Sequence, residues 1–130
     1  MSLQRINPAT MAQPMGLYSQ GVVAPQQGRW LYIAGQVGVK PDGRVPADIE
    51  GQCEAVWDNI RAVLAEAGMG AQDLVKITTY LTDGAYLPVF APIRARFLGE
   101  ARPASTLVVV SALAKAEWLV EVEAVAFKAA

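Results

Sequence analysis

Residues 48–68, DIEGQCEAVWDNIRAVLAEAG, decide the fold. Asp48 places a side-chain oxygen where the first N–H groups of an α-helix need an acceptor. Behind it Ile49, Cys53, Val56, Trp57, Ile60, Val63, Leu64 and Ala67 recur at helical steps. At 3.6 residues per turn they form one apolar stripe, and Glu50, Glu54, Asp58, Arg61 and Glu66 fall largely off it. Gly68 follows, the residue best suited to end a helix in the left-handed conformation. Such a stripe needs a second layer to cover it, and the flanking sequence supplies strands.

Upstream, Gly28 opens a strand over 29–37, in which Trp30, Tyr32 and Ala34 alternate with Leu31, Ile33 and Gly35. Lys40-Pro41-Asp42-Gly43 is turn chemistry. The first thirty residues are irregular, with Pro8, Pro14 and Pro25 and short strand candidates at 3–6 and 19–24. Downstream, 75–82 reads as a strand with Val75, Ile77, Thr79 and Leu81 on one face. Tyr86 to Leu98 suits a second helix, with Phe90, Ile93 and Phe97 on one side. Pro88 fits its first turn, whereas Pro92 is expected to bend the helix or limit where it begins. Strands follow at 105–111 and 117–127. The order is β-β-α-β-α-β-β, with room for one more strand at the start. It predicts an α+β fold, one mixed sheet with both helices on one face, as a single domain over residues 1–130.

Composition narrows the function classes. Of 130 residues, 53% are hydrophobic and 18% charged, which excludes global disorder. A net charge of −1 argues against a general nucleic-acid binder, which needs a basic surface. The chain has no histidine, so Ser-His-Asp and Cys-His catalysis and His-ligated metals are excluded. The single cysteine, Cys53, lies on the helix stripe and is expected to be a buried, inert thiol. One cysteine also makes neither an intrachain disulfide nor a thiolate zinc site. No apolar run approaches the ~20 residues that cross a bilayer, and MSLQRINPAT lacks a secretory apolar stretch. A cytoplasmic, membrane-free protein is the expectation.

Mean hydropathy is positive, +0.26. In Leu107-Val108-Val109-Val110, odd and even positions are equally apolar, whereas a strand with one wet face alternates. This predicts a homo-oligomer packed sheet against sheet; the alternative is a strand sandwiched between helices of one subunit.

Chemistry has few places to sit. Glu121 and Glu123 share one face of a valine-rich strand, roughly 7 Å apart by strand geometry. Partial burial would raise either pKa toward that of a general acid or base near neutral pH; the alternative is a solvated edge that guards against aggregation. Gly35, inside Ala34-Gly35-Gln36, implies either close approach of a ligand or another backbone, or a bulge or kink. Pro103-Ala104-Ser105-Thr106 puts two hydroxyls at a strand start, which ordinary strand composition explains equally well. Arg94, Arg96 and Arg102 are too few for a nucleic-acid surface.

Taken in order, several segments resemble the RidA family, also called YjgF and labelled endoribonuclease L-PSP. They are Tyr18-Ser19-Gln20, Leu31 to Gln36, Gln52 and Asn59, Val63 to Gly68, Leu74-Val75-Lys76, Tyr80 to Asp83, Pro103-Ala104 and Val120 to Ala126. The resemblance implies a chorismate-mutase-like subunit and a homotrimer whose sheets form a central barrel, with ligand sites in clefts between subunits. It implies hydrolysis of enamine or imine acids without cofactor or metal. A glutamate of the last strand, here Glu121, positions or activates water. A tyrosine of the N-terminal segment, here Tyr18, closes the pocket. A Ser-Gly pair becomes Ala34-Gly35 in this chain, and the arginine of a Pro-Ala-Arg motif, which clamps a substrate carboxylate, becomes Ser105. Loss of such a charge-assisted contact, roughly 1.5–3 kcal/mol, corresponds to about 10- to 100-fold in carboxylate affinity.

Two functions are expected. One is a hydrolase or deaminase acting on an altered small molecule, with Glu121 orienting water and Ala34, Gly35, Ser105, Thr106 and Tyr18 binding the substrate. The other is a non-catalytic trimer that binds a metabolite or partner in the same clefts. A ribonuclease is disfavoured by the acidic charge balance and the absence of histidine.

Overall fold

The computed structural model describes residues 3–130; Met1 and Ser2, part of the leader reading above, lie outside them. Six strands and two helices run in the order β1 (Gln4–Ile6), β2 (Gly21–Val23), β3 (Gly28–Val37), α1 (Ile49–Glu66), β4 (Leu74–Leu81), α2 (Leu87–Leu98), β5 (Ala104–Val109) and β6 (Val120–Ala129). The extra strand at the start is present.

Four strands form a mixed sheet in the order β3-β6-β4-β5. β6 is antiparallel to both neighbours, while β4 and β5 are parallel and joined through α2. The single sheet expected from the strand order is corrected in one respect: β1 and β2 pair only with each other, as a separate ribbon. The ribbon is tied to the rest just before β2. Ser19 bridges Ala104, its N–H donates to Pro103 O at 3.0 Å and its hydroxyl donates to Arg102 O at 2.5 Å.

α1 forms where the stripe predicts. Asp48 accepts from Gly51 N at 3.2 Å, Glu50 sits favourably in the first turn, and Gly68 closes the end at φ +72°. Cys53, Val56, Trp57, Ile60 and Leu64 are buried, with Trp57 stacked on Phe97 of α2 at 4.6 Å. Burial pushes the Cys53 thiol up to about 12, so it is not a nucleophile at neutral pH. α2 runs through Pro92 and buries Phe90, Ile93, Phe97 and Leu98.

Both helices cover one face of the sheet, where Ile33, Ile77, Leu81, Val120, Val122, Ala124 and Ala126 complete the core. A register shift between Leu74 and Lys76 puts Leu74, rather than Val75, into that core. Gln52 is also fully buried. Its Nε2 donates to Pro46 O and Glu117 O at 2.8 Å, and its Oε1 accepts from Leu119 N at 2.9 Å. These bonds occupy the backbone before Val120 and explain why β6 begins there and not at Glu117. No helix among the described residues is long and apolar enough to cross a membrane.

The opposite face has no helix over it. Trp30 is 50% exposed, Tyr32 74% and Val108 39%. Lys76, Thr78, Tyr80, Glu121, Glu123 and Thr106 share this face by register.

Candidate functional site

The site begins at an irregularity in β3. Ile33 pairs with Ala124 and Gln36 with Val122, so Ala34 and Gly35 together face only Glu123. This is a β-bulge, a device that re-aims side chains by inserting one residue. The Gln36 amide folds back to donate to Ala34 O at 3.0 Å. Glu121 stands opposite Val37, and its side chain runs back to Gly35 so closely that a methyl group there would overlap Glu121 Oε2. The bulge reading of Gly35 therefore holds, and what approaches the glycine is neither a ligand nor another backbone but the Glu121 side chain.

On its other side Glu121 pairs with Tyr80 of β4. The Tyr80 hydroxyl donates to Glu123 Oε1 at 2.5 Å. That hydrogen bond, then desolvation, then the charges of Glu123 and Glu121 hold the Tyr80 phenol above its ordinary pKa. Gly35, Tyr80, Glu121 and Glu123, with Val110 and Leu113 from the segment after β5, line a shallow hollow of about 370 Å³. A carboxylate beside exposed backbone can position a water molecule or accept its proton. Tyr80 was missed in the sequence. Its signal is a tyrosine on the polar side of a strand, in register with Lys76 and Thr78.

The remaining predicted residues lie elsewhere in the subunit. Ser105 pairs with Ile77 on the helix-covered face, three positions along β4 from Tyr80. Thr106 pairs with Thr78 on the open face and accepts from Lys76 Nζ at 2.7 Å. Tyr18 adjoins the Ser19–Ala104 bridge, close along the chain to the start of β5. One subunit thus holds Gly35 and Glu121 together, while the Ser19–Ala104 bridge makes Tyr18 and Ser105 a second group by their neighbouring backbone, with the Tyr18 hydroxyl accepting from Met15 N at 3.4 Å. Arg102 is turned to its own backbone, donating to Gly99 O and Ala101 O. No group of three or more metal-ligating side chains occurs among the described residues.

Comparison with known proteins decides the family. The family described as Endoribonuclease L-PSP matches residues 9–128. The chain belongs to this family, that of RidA and YjgF. Within the family, a RutC family protein of Pyrococcus horikoshii is 39% identical over 118 residues, 89% of this chain and 90% of that protein. TdcF of Escherichia coli, named as a candidate reactive intermediate deaminase, is 30% identical over 120 residues, 89% of this chain and 90% of TdcF. Among solved structures, a Rid-family protein of unknown function from Yersinia pestis superimposes with a TM-score of 0.85 at 35% identity, covering 97% of this chain and 98% of that one. RidA from an Antarctic Psychrobacter superimposes with a TM-score of 0.72 at 32% identity, covering 96% and 99%. The α+β architecture with two helices and a mixed sheet is thus a RidA-family fold.

Proposed function

We propose that this chain is a cofactor-free hydrolase of small imine- or enamine-type compounds, acting in a cleft that a second copy of the chain completes. The observation that carries the reading is the Glu121 carboxylate seated against Gly35 at the rim of an open hollow. In the reaction, Glu121 orients a water molecule and takes its proton as oxygen attacks the imine carbon. That proton passes to the imine nitrogen, giving a carbinolamine; as this collapses, Glu121 takes the hydroxyl proton while the C=O bond forms, the C–N bond breaks, the departing nitrogen receives that second proton, and a carbonyl compound and ammonia leave. The family resemblance supports this assignment, as does the deaminase named among the relatives.

The homotrimer is part of the proposal. Trp30, Tyr32 and Val108 leave apolar surface on the helix-free face, and a neighbouring copy would cover it. The separation of Gly35 and Glu121 from Tyr18 and Ser105 also fits a site shared between subunits. Ser105 carries no charge where the family motif implies an arginine, so the preferred substrate lacks the carboxylate of 2-iminopropanoate. The same serine favours a second reading, a trimer that binds a metabolite without turning it over.

Ammonia release from a panel of imines, enamines and amides tests the proposal. Glu121→Gln should lose at least tenfold in kcat; equal rates for variant and wild type reject the role of Glu121. Thermal stabilisation by a panel compound without turnover selects the binding protein instead.

A further inference from the structure

A second hollow, of about 560 Å³, lies away from Glu121, between the β1–β2 ribbon, the turn Ala71–Asp73 and the end of α2. Leu3, Val22, Leu74 and Leu98 give it apolar walls, and Arg5 and Arg102 bring two guanidinium groups to it. Both converge on one short turn. Arg5 Nη2 donates to Glu100 O at 2.6 Å, and Arg102 Nη1 donates to Gly99 O at 2.8 Å and Ala101 O at 2.7 Å.

Three other arginines, Arg44, Arg61 and Arg96, pair with carboxylates. Arg5 and Arg102 do not: among the described residues neither has an ion-pair partner, although Glu100 also lines the hollow. A guanidinium carries five N–H donors, so each group, held by a single nitrogen, keeps donors to offer. Two like charges gathered at one turn repel, and an anion between them would relieve that repulsion while accepting the spare donors. Leucine and valine walls suit an apolar body attached to the anion, which inorganic phosphate lacks.

We propose that this hollow binds a small carboxylate with an apolar tail, its carboxylate between Arg5 and Arg102 and its tail against Leu3, Val22, Leu74 and Leu98. The site is independent of the Glu121 hollow, which shares none of its lining residues. An occupant would clasp the ribbon to the turn before β5. Ser19 is anchored to the backbone of Arg102 and Pro103 in that same stretch.

Isothermal titration with 3-phenylpropanoate, 3-phenylpropanol and inorganic phosphate tests the assignment on the full chain. The acid should bind, and the alcohol and phosphate should bind at least tenfold more weakly. Arg5→Gln and Arg102→Gln should each weaken the acid about tenfold or more, and Glu121→Gln should leave it unchanged. Amide chemical shifts of the unmodified protein keep the test open if a variant fails to fold: the acid should move resonances of Leu3, Arg5, Val22, Gln72 and residues 98–102. Equal binding of acid and alcohol, phosphate binding as tight as the acid, loss of binding in Glu121→Gln, or no shifts at millimolar acid would each overturn the site. None of these outcomes bears on ammonia release at Glu121, so the two proposals fail separately.

Discussion

The two faces of the sheet obey different rules. On the helix side every inward position of β6, from Val120 through Val122 and Ala124 to Ala126, is apolar and buried, and the only polar group of β4 there is Thr79. On the other side the same strands present Glu121, Glu123, Tyr80, Thr78 and Lys76. One strand therefore serves two purposes, because alternate residues point to opposite faces. The helix side holds the fold by dispersion and exclusion of water; the open side tolerates charge because water still reaches it. Changes on the first face should act on stability, and changes on the second on chemistry.

The largest test of that division is Trp57→Ala. Trp57 is 2% exposed and stacks on Phe97. Its loss should cost about 3–5 kcal/mol, read as a fall in the midpoint of urea unfolding. A cost below 1 kcal/mol would mean that the helix face is not the stabilising one.

Gly35→Ala strikes at the boundary. The added methyl group meets the Glu121 carboxylate, and relief comes most easily by swinging that flexible side chain away. Activity should fall at least tenfold in a steady-state ammonia assay, with about 1–3 kcal/mol of strain at most. Full activity would show that the seat of Glu121 is irrelevant to turnover.

Ser105→Arg tests whether the second group of predicted residues belongs to the same site. If a neighbouring copy brings residue 105 to Glu121, activity on 2-iminopropanoate should rise by about 10-fold or more. No gain means that the pocket has diverged beyond this one position.

The smallest effect is electrostatic. The hydrogen bond to Glu123 holds the Tyr80 phenol above its ordinary pKa. Because the folded-state pKa is raised, the contact is intact below pH ~10 and is lost as pH climbs through the folded value. Glu123→Gln should return the phenol toward its ordinary range. Ultraviolet titration of tyrosinate, with Tyr80→Phe to assign the signal, reads the change; an unmoved titration curve would break the pairing.

Much of this was legible beforehand, for reasons that differ by element. The α1 stripe, its Asp48 cap and its Gly68 stop are local and periodic, and they form as read. The strand limits were less legible where a distant side chain intervenes. β6 starts late because Gln52, 67 residues from Leu119 along the chain, holds the backbone before it. The β4 register slips at Val75, which strand alternation alone does not signal. In the site, Gly35 and Glu121 were singled out separately, but nothing local announced that one seats the other. Tyr80 escaped notice because its partner lies on the neighbouring strand β6, 43 residues away along the chain.

The amino-acid order alone determined the element types, the apolar stripes and the absence of histidine chemistry, since these depend on near neighbours and on composition. Tertiary structure decided which residues meet. The bulge that sets Gly35 under Glu121, the choice of the helix-covered face for Ser105 and the open face for Thr106, and the gathering of Arg5 and Arg102 at one turn all arise from strand register and chain crossing. Those are long-range pairings, fixed by the best joint burial of the whole sheet and not by any segment of it.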